Sequence, residues 1–318
     1  MNEQIIDRIE PIVSGIIDSM GSGDFDSAKL AALRAQQMHP RESRLTYLRA
    51  LCESATGNTR EAIDLAWKTI ALSPDTEAGR ELLLSHYIEL KCPPTPCIKD
   101  FSLNSGERQT STKLESIRAD HLVRYELAAQ WIMQNFSSPW RLTGVDAFCG
   151  NGYGSNLVAT RTGARLIGID GSEDAINLAD AHYRTEKIVY GAAQFPFGFS
   201  RASFDFAICF ESIEHVEHSE DLFETICEST DGPIFLSIPN EDGLPYKIFR
   251  TAFEHHFRHF TTDEVVKLTA RAGKKIEAHL GQNTYVLRNN KIVGLLPEHK
   301  MTLHTPRQDD HFSIYVIR

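Results

Sequence analysis

The stretch "FESIEHVEH", from Phe210 to His218, sets three carboxylates and two imidazoles within eight residues. Side chains of these types so close together can do one of two things. An imidazole titrates near neutral pH and can remove a hydroxyl proton, with His215 as general base and Glu214 beside it. Alternatively, carboxylate oxygens and imidazole nitrogens can hold a divalent cation. In a helical turn Glu211, Glu214 and His215 fall at i, i+3 and i+4 and share one face, while Glu217 and His218 point away to solvent. Such a trio needs at least one more ligand. A second cluster downstream, "FEHHFRHFTTDEV", offers His255, His256 and His259 just before a helix capped near Thr261 or Thr262. Hard carboxylate oxygens favour Mg²⁺ or Mn²⁺, and two imidazoles leave Zn²⁺ or Fe²⁺ open. Without a metal, two carboxylates so close repel and raise one pKa, and His215 must act as base alone.

These residues need a frame. From about Leu142 short apolar runs alternate with helical segments: "LTGVDAF", "ARLIGID", "KIVYGAA", "FDFAICF", "GPIFLSIP" and "HFSIYVIR". Near-continuous apolar strands separated by helices predict an α/β fold, a parallel sheet with helices on both faces. The acid–imidazole cluster then lies just past the carboxyl end of the "FDFAICF" strand, where ligands bind in open α/β sheets. The same end carries "GVDAFCGNGYGS". Asp146 lies in the first strand, and Gly150, Gly152 and Gly154 form the turn that opens the next helix. Glycines there let the backbone turn sharply and let a ligand approach. The spacing is G-x-G-x-G, not the G-x-G-x-x-G of pyrophosphate binders. The next strand ends in Asp170, placed to accept hydrogen bonds from two ribose hydroxyls.

Upstream the chain reads as wholly helical. Aligning Gly21–Pro40 with Ala55–Pro74 pairs Gly23 with Gly57, Ala28 with Ala62, Ala32 with Ala66 and Pro40 with Pro74, every offset being 34 residues. "CPPTPC" then stops the helices, because proline cannot continue one. The organisation expected is a helical repeat domain over 1–92, a linker over 93–110 and the α/β domain over 111–318.

Together these segments resemble known families. "VDAFCGNGYGS", "LIGIDGSEDAINLA", "SFDFAICFESIEHV" and "IFLSIPN" resemble the motifs of the class I S-adenosylmethionine-dependent methyltransferases, over about Phe101 to Arg318. The resemblance implies a Rossmann-like, seven-stranded, mostly parallel sheet with the last strand antiparallel. It also implies that Asp146 and the Gly150–Gly152 turn hold the methionine end of S-adenosyl-L-methionine, and Asp170 its ribose. One departure stands out. The family often has an acid after the third strand for the adenine amine, whereas "YGAAQFPF" offers Gly191, Ala192 and Ala193, leaving Gln194 or backbone groups for that contact. The lead-in "SGERQTSTKLESIRADHLVRYELAAQWI" resembles a subgroup associated with glycan modification, which implies Arg124 and Tyr125 near the cofactor's carboxylate. Glu211, Glu214 and His215 followed by His256 resemble the ligand set of metal-dependent small-RNA 2′-O-methyltransferases and related ubiquinone-pathway enzymes. "IEHV" also occurs in methyltransferases that use no metal. The 34-residue period resembles the tetratricopeptide repeat, without its early large aromatic.

The totals narrow the class. The chain has 318 residues, 42% hydrophobic and 24% charged, as in an ordinary globular protein. A formal net charge of -10 speaks against a large phosphate-binding surface. No apolar stretch reaches the length of a membrane span. The start, "MNEQIIDRIE", has no basic and apolar leader pattern. The six cysteines read as reduced thiols in a cytoplasmic protein. The function expected is O-methylation of a hydroxyl on a sugar, glycan or small molecule. RNA ribose methylation is the enzyme alternative, and a non-catalytic cofactor-binding adaptor docking a protein partner through the repeats is the other.

Overall fold

The computed structural model describes residues 3–90, 109–200 and 203–318. The segment expected as a linker, 93–110, lies outside the described residues except for 109 and 110, and so does Cys92. The chain divides into two compact units, Met1–Tyr87 and Ile88–Arg318.

The first unit is five helices: α1 (Glu3–Gly21), α2 (Phe25–Met38), α3 (Ser43–Ala55), α4 (Thr59–Leu72) and α5 (Glu77–Tyr87). Each packs on the next, and α3 also touches α1 and α5. The 34-residue offset is present in the backbone. Gly23 and Gly57 are both left-handed, at φ 82° and 80°, and each is followed by an N-cap, Asp24 or Asn58. A side chain with a Cβ resists that conformation. Ala28, Ala32, Ala62 and Ala66 are all fully buried, so their small side chains let neighbouring helices approach closely.

The second unit opens with a short strand, β1 (Ile88–Leu90), and a long helix, α6 (Ala119–Asn135). The alternating region follows: β2 (Thr143–Ala147), α7 (Tyr153–Thr162), β3 (Arg165–Asp170), α8 (Glu173–Tyr183), β4 (Ile188–Ala192), β5 (Phe197–Phe199), β6 (Phe206–Phe210), α9 (Ser219–Glu228) and β7 (Ile234–Pro239). Then come α10 (Tyr246–Phe249), α11 (Thr262–Arg271), β8 (Ile276–Gln282), a hairpin of β9 (Tyr285–Arg288) and β10 (Lys291–Leu295), and β11 (Phe312–Ile317).

Seven of these strands form one sheet in the order β4-β3-β2-β6-β7-β11-β8. Pairings from β4 to β7 are parallel, and β11 runs antiparallel between β7 and β8. This is the expected α/β sheet with its last strand antiparallel. Strands β2, β3, β6 and β7 are buried nearly end to end, because helices cover the sheet and nothing polar need face water. Strand order reverses at β2, so the loops after β2 and β6 leave in opposite directions and open a crevice at the carboxyl ends of the strands.

Strand β1 pairs antiparallel with β5 through Ile88–Phe199, Glu89–Gly198 and Leu90–Phe197. Phe197 is 1% exposed, so this pairing backs a buried aromatic. A protein starting at Lys99 is therefore expected to melt several degrees below one starting at Ile88. About 1 kcal/mol corresponds to roughly 2–4 °C at this size. Differential scanning calorimetry of the two chains measures the gap, and identical transitions would remove β1 from the stability of the unit.

Candidate functional site

The glycine turn follows β2 directly. Phe148 is left-handed at φ 64°, and Gly150 and Gly152 follow at 57° and 84°. The backbone N–H of Gly150 donates to Asp170 Oδ2 at 3.0 Å, and that of Ser172 donates to Oδ1 at 2.9 Å. Asp170 is thus pinned at the end of β3 by the turn beside it. The three glycines have different reasons to be glycine. A Cβ on Gly150 would meet nothing within 4 Å, so its surroundings are open. One on Gly152 would lie 2.7 Å from the Tyr190 ring, and one on Gly154 would lie 2.0 Å from the Tyr125 ring. Those two are packing positions. Asp146 is fully buried. Its Oδ2 accepts from Ser155 Oγ at 2.6 Å, and its Oδ1 has no hydrogen-bond partner among the described residues. Burial pushes its pKa up to about 7. Gln194 is exposed just past β4.

Arg124 and Tyr125 sit in the middle of α6. Tyr125 is buried edge-on to Tyr153 and Phe210. Arg124 is 1% exposed and held on several sides. Its Nε donates to Gln282 Oε1 at 2.7 Å, Nη1 lies 3.2 Å from Glu211 Oε1, and the guanidinium stacks 4.6 Å over the Phe312 ring. Asp120 Oδ2 lies 4.0 Å from Nη2, and Arg118 grips the same carboxylate through Nε and Nη2. Burial would raise the Asp120 pKa, but the Arg118 hydrogen bonds and neighbouring positive charge outweigh it and hold the acid well below the carboxylate range. Glu211 also accepts from Ser237 Oγ at 2.9 Å. Burial raises its pKa, with Arg124 opposing.

Glu211 therefore does not join the cluster that the sequence suggested. It is left-handed at φ 48°, and only Ile213–His215 form a helical turn, of the tight 3-10 kind. The expected common helical face is absent. Glu214, His215 and His256 do come together: one ligand atom from each lies within 4.8 Å of the others. Glu214 is fully buried and His256 is 4% exposed, whereas Glu217 and His218 are exposed. The Phe257 N–H donates to the Glu214 carbonyl at 2.8 Å, tying the downstream loop to the 3-10 turn. Tyr246 Oη donates to the His256 carbonyl at 2.8 Å, and the Phe253 ring stacks on the His256 imidazole at 4.9 Å. One carboxylate and two imidazoles fit a cation that accepts mixed oxygen and nitrogen ligands, such as Mn²⁺, Fe²⁺ or Zn²⁺, better than Mg²⁺. Sequence reasoning missed Asp120, Arg118, Ser237 and Gln282, which surround Arg124 and Glu211.

A family model described as a methyltransferase domain matches residues 145–230, from β2 through the glycine turn into the loop after α9. No curated protein matches the chain. Among solved structures, an S-adenosylmethionine-dependent methyltransferase from Mesorhizobium loti aligns at 19% identity and a TM-score of 0.47, covering 61% of this chain and 99% of that one. Magnesium protoporphyrin IX methyltransferase from Synechocystis, solved with bound SAH, aligns at 16% identity and a TM-score of 0.47, covering 66% and 89%.

Two outcomes are expected from the buried charges. Glu211→Ala leaves the Arg124 guanidinium without its nearest carboxylate, and should cost about 3 kcal/mol of stability in denaturant titration. A loss under 1 kcal/mol would mean that the pair is not a structural one. Asp146 binds a proton in the folded protein that the unfolded chain releases near 3.8. Its protonation thus favours folding at low pH, and that contribution is lost as pH rises from 3.8 towards about 7. In cofactor-free protein Asp146→Asn should flatten this decline, and an unchanged slope would contradict the assignment. Residues 145–230, which match the methyltransferase-domain model, thus span β2 to the end of α9 within the seven-stranded sheet of the second unit.

Proposed function

We propose that the second unit transfers a methyl group from S-adenosyl-L-methionine to a hydroxyl of a sugar, glycan or small molecule, with help from a divalent cation. The observation that carries this reading is the convergence of Glu214, His215 and His256 past the carboxyl end of β6, the same end of the sheet that carries the glycine turn and Asp170. S-adenosylmethionine, when bound, supplies a methyl group activated by a positive sulfur. Asp170 accepts from the ribose hydroxyls, and the open face of Gly150 lets the methionine chain lie against the backbone. Asp146 Oδ1 supplies a buried acceptor for an ammonium group. Gln194, exposed past β4, is the side chain nearest the adenine position.

Glu214, His215 and His256 would hold the cation, which would supply positive charge to the acceptor oxygen. The chain's own contribution is to align that oxygen with the methyl carbon; with both imidazoles committed to the cation, the acidified hydroxyl would release its proton to solvent. Glu211 is the fourth ligand of the resembling families, but here it is spent on Arg124, so the proposed set has three members. An acceptor of hydroxyl type fits the cluster, because a hydroxyl loses its proton poorly without a base or a cation. The net charge of -10 favours a small or glycan acceptor over RNA. The repeated helices of the first unit are proposed to bind a protein partner in the manner of tetratricopeptide repeats.

Asp170→Ala should weaken S-adenosylhomocysteine binding by at least about tenfold, since each hydrogen bond to a charged acceptor contributes about 1.5–3 kcal/mol. Titration calorimetry measures this, and unchanged affinity removes Asp170 from the ribose. Methyl transfer from labelled cofactor into cell fractions should vanish on chelation and return with Mn²⁺ or Zn²⁺. Glu214→Ala and His215→Ala should abolish it while leaving S-adenosylhomocysteine affinity unchanged. Full turnover by metal-free enzyme would exclude the cation and leave His215 as the base.

A further inference from the structure

His259 lies outside the group of three, yet it touches one member and a backbone carbonyl at once. Its Nδ1 is 2.5 Å from the Leu244 carbonyl oxygen, and its Nε2 is 2.9 Å from His256 Nδ1. A carbonyl oxygen can only accept, so the hydrogen on this contact belongs to His259 Nδ1. A neutral imidazole carries one N–H, and the other nitrogen is then a lone pair. His259 Nε2 is therefore the acceptor between the two rings, and His256 Nδ1 is the donor. It follows that a neutral His256 carries no hydrogen on Nε2. The opposite arrangement needs His259 to donate from both nitrogens. That would place a cation at a residue 3% exposed and ringed by Phe253, Tyr246 and His256.

The surroundings hold this geometry. Phe253 stacks on His256 and meets His259 edge-on at 5.3 Å. Tyr246 anchors the His256 backbone, and the two histidines are three residues apart in one loop, between α10 and α11. A ring whose one nitrogen is committed this firmly presents the other in a fixed direction. Outer hydrogen bonds of this kind set which nitrogen of a histidine is available and raise its basicity as a ligand.

We propose that His259 is a positioning residue that locks His256 in its Nδ1–H tautomer, so that the Nε2 lone pair is what His256 offers beside Glu214 and His215. The tautomer assignment stands on the two hydrogen bonds. Its consequence for a cation rests on the metal reading given above.

The test uses the full chain, labelled with ¹⁵N, in metal-free form. Two-bond ¹H–¹⁵N correlations report which ring nitrogen of His256 is protonated. Wild type should show protonated Nδ1. His259→Phe, which removes the acceptor, should lose that preference. His259→Gln, whose amide can accept from His256 and donate to Leu244, should restore it. By titration calorimetry, His259→Phe should bind Mn²⁺ about 10–100-fold more weakly than wild type, and His259→Gln within a few-fold of it. S-adenosylhomocysteine affinity should be equal in all three, which shows that the fold is intact. Protonated Nε2 in wild type, or a tautomer unchanged in His259→Phe, overturns the proposal without any variant having to bind metal. If the tautomers behave as stated and wild type takes up no Mn²⁺, the cation reading falls and the positioning role of His259 stands.

Discussion

The reversal of strand order at β2 is the constraint from which the rest of the site follows. Strands β3 and β4 lie to one side of β2, and β6 and β7 to the other, so the chain must leave β2 and β6 in opposite directions. At both exits it does so through a left-handed residue that is not glycine, Phe148 after β2 and Glu211 after β6. Such a conformation costs on the order of 1–3 kcal/mol and persists only where the surroundings hold it. After β2 the turn is held by Asp170, which takes the Gly150 N–H. After β6 it is held by Ser237 and Arg124, which take the Glu211 side chain.

The turn at Glu211 divides the labour of the acid–imidazole stretch. By rotating Glu211 back onto α6, it joins the end of β6 to a buried arginine that also reaches β8 through Gln282 and β11 through Phe312. One guanidinium thereby ties three strands of the sheet to one helix. The next residues, Glu214 and His215, are left to face the loop that carries His256. A single φ angle thus separates a carboxylate that holds the fold from one that stands with imidazoles.

Much of this was legible in the residues. The apolar runs located the six strands that are buried on both faces, because burial imposes that pattern directly, and the offset of 34 falls on the paired left-handed glycines and buried alanines of the N-terminal helices. Strand β8 escaped because Ile276–Gln282 is an edge strand, half-exposed, with charged and small residues between its apolar ones. The β9–β10 hairpin could have been found: Asn289 and Asn290 are both left-handed, and asparagine is among the residues that tolerate that turn. The glycines were read as one motif, but Gly152 and Gly154 are small because Tyr190 and Tyr125 press on them, and no local pattern distinguishes that from an open ligand face. The resemblance implies that Arg124 lies near the cofactor's carboxylate. Its partner Gln282 lies 158 residues away, beyond the reach of spacing arguments. The helical face proposed for Glu211 failed for the same reason, since its conformation is set by Arg124 and Ser237 rather than by its neighbours in the chain.

In the function proposed, the glycine turn and the acid–imidazole group are two halves of one site, the first for the cofactor and the second for the acceptor oxygen with its cation. Anomalous difference density from crystals grown with S-adenosylhomocysteine and Mn²⁺ tests it most directly. One strong peak is expected within bonding distance of Glu214, His215 and His256, with the cofactor's sulfur facing it, its ribose on Asp170 and Glu211 still paired with Arg124. A cofactor bound in the crevice with no Mn²⁺ peak at those three side chains, or a peak that recruits Glu211 away from Arg124, would contradict it.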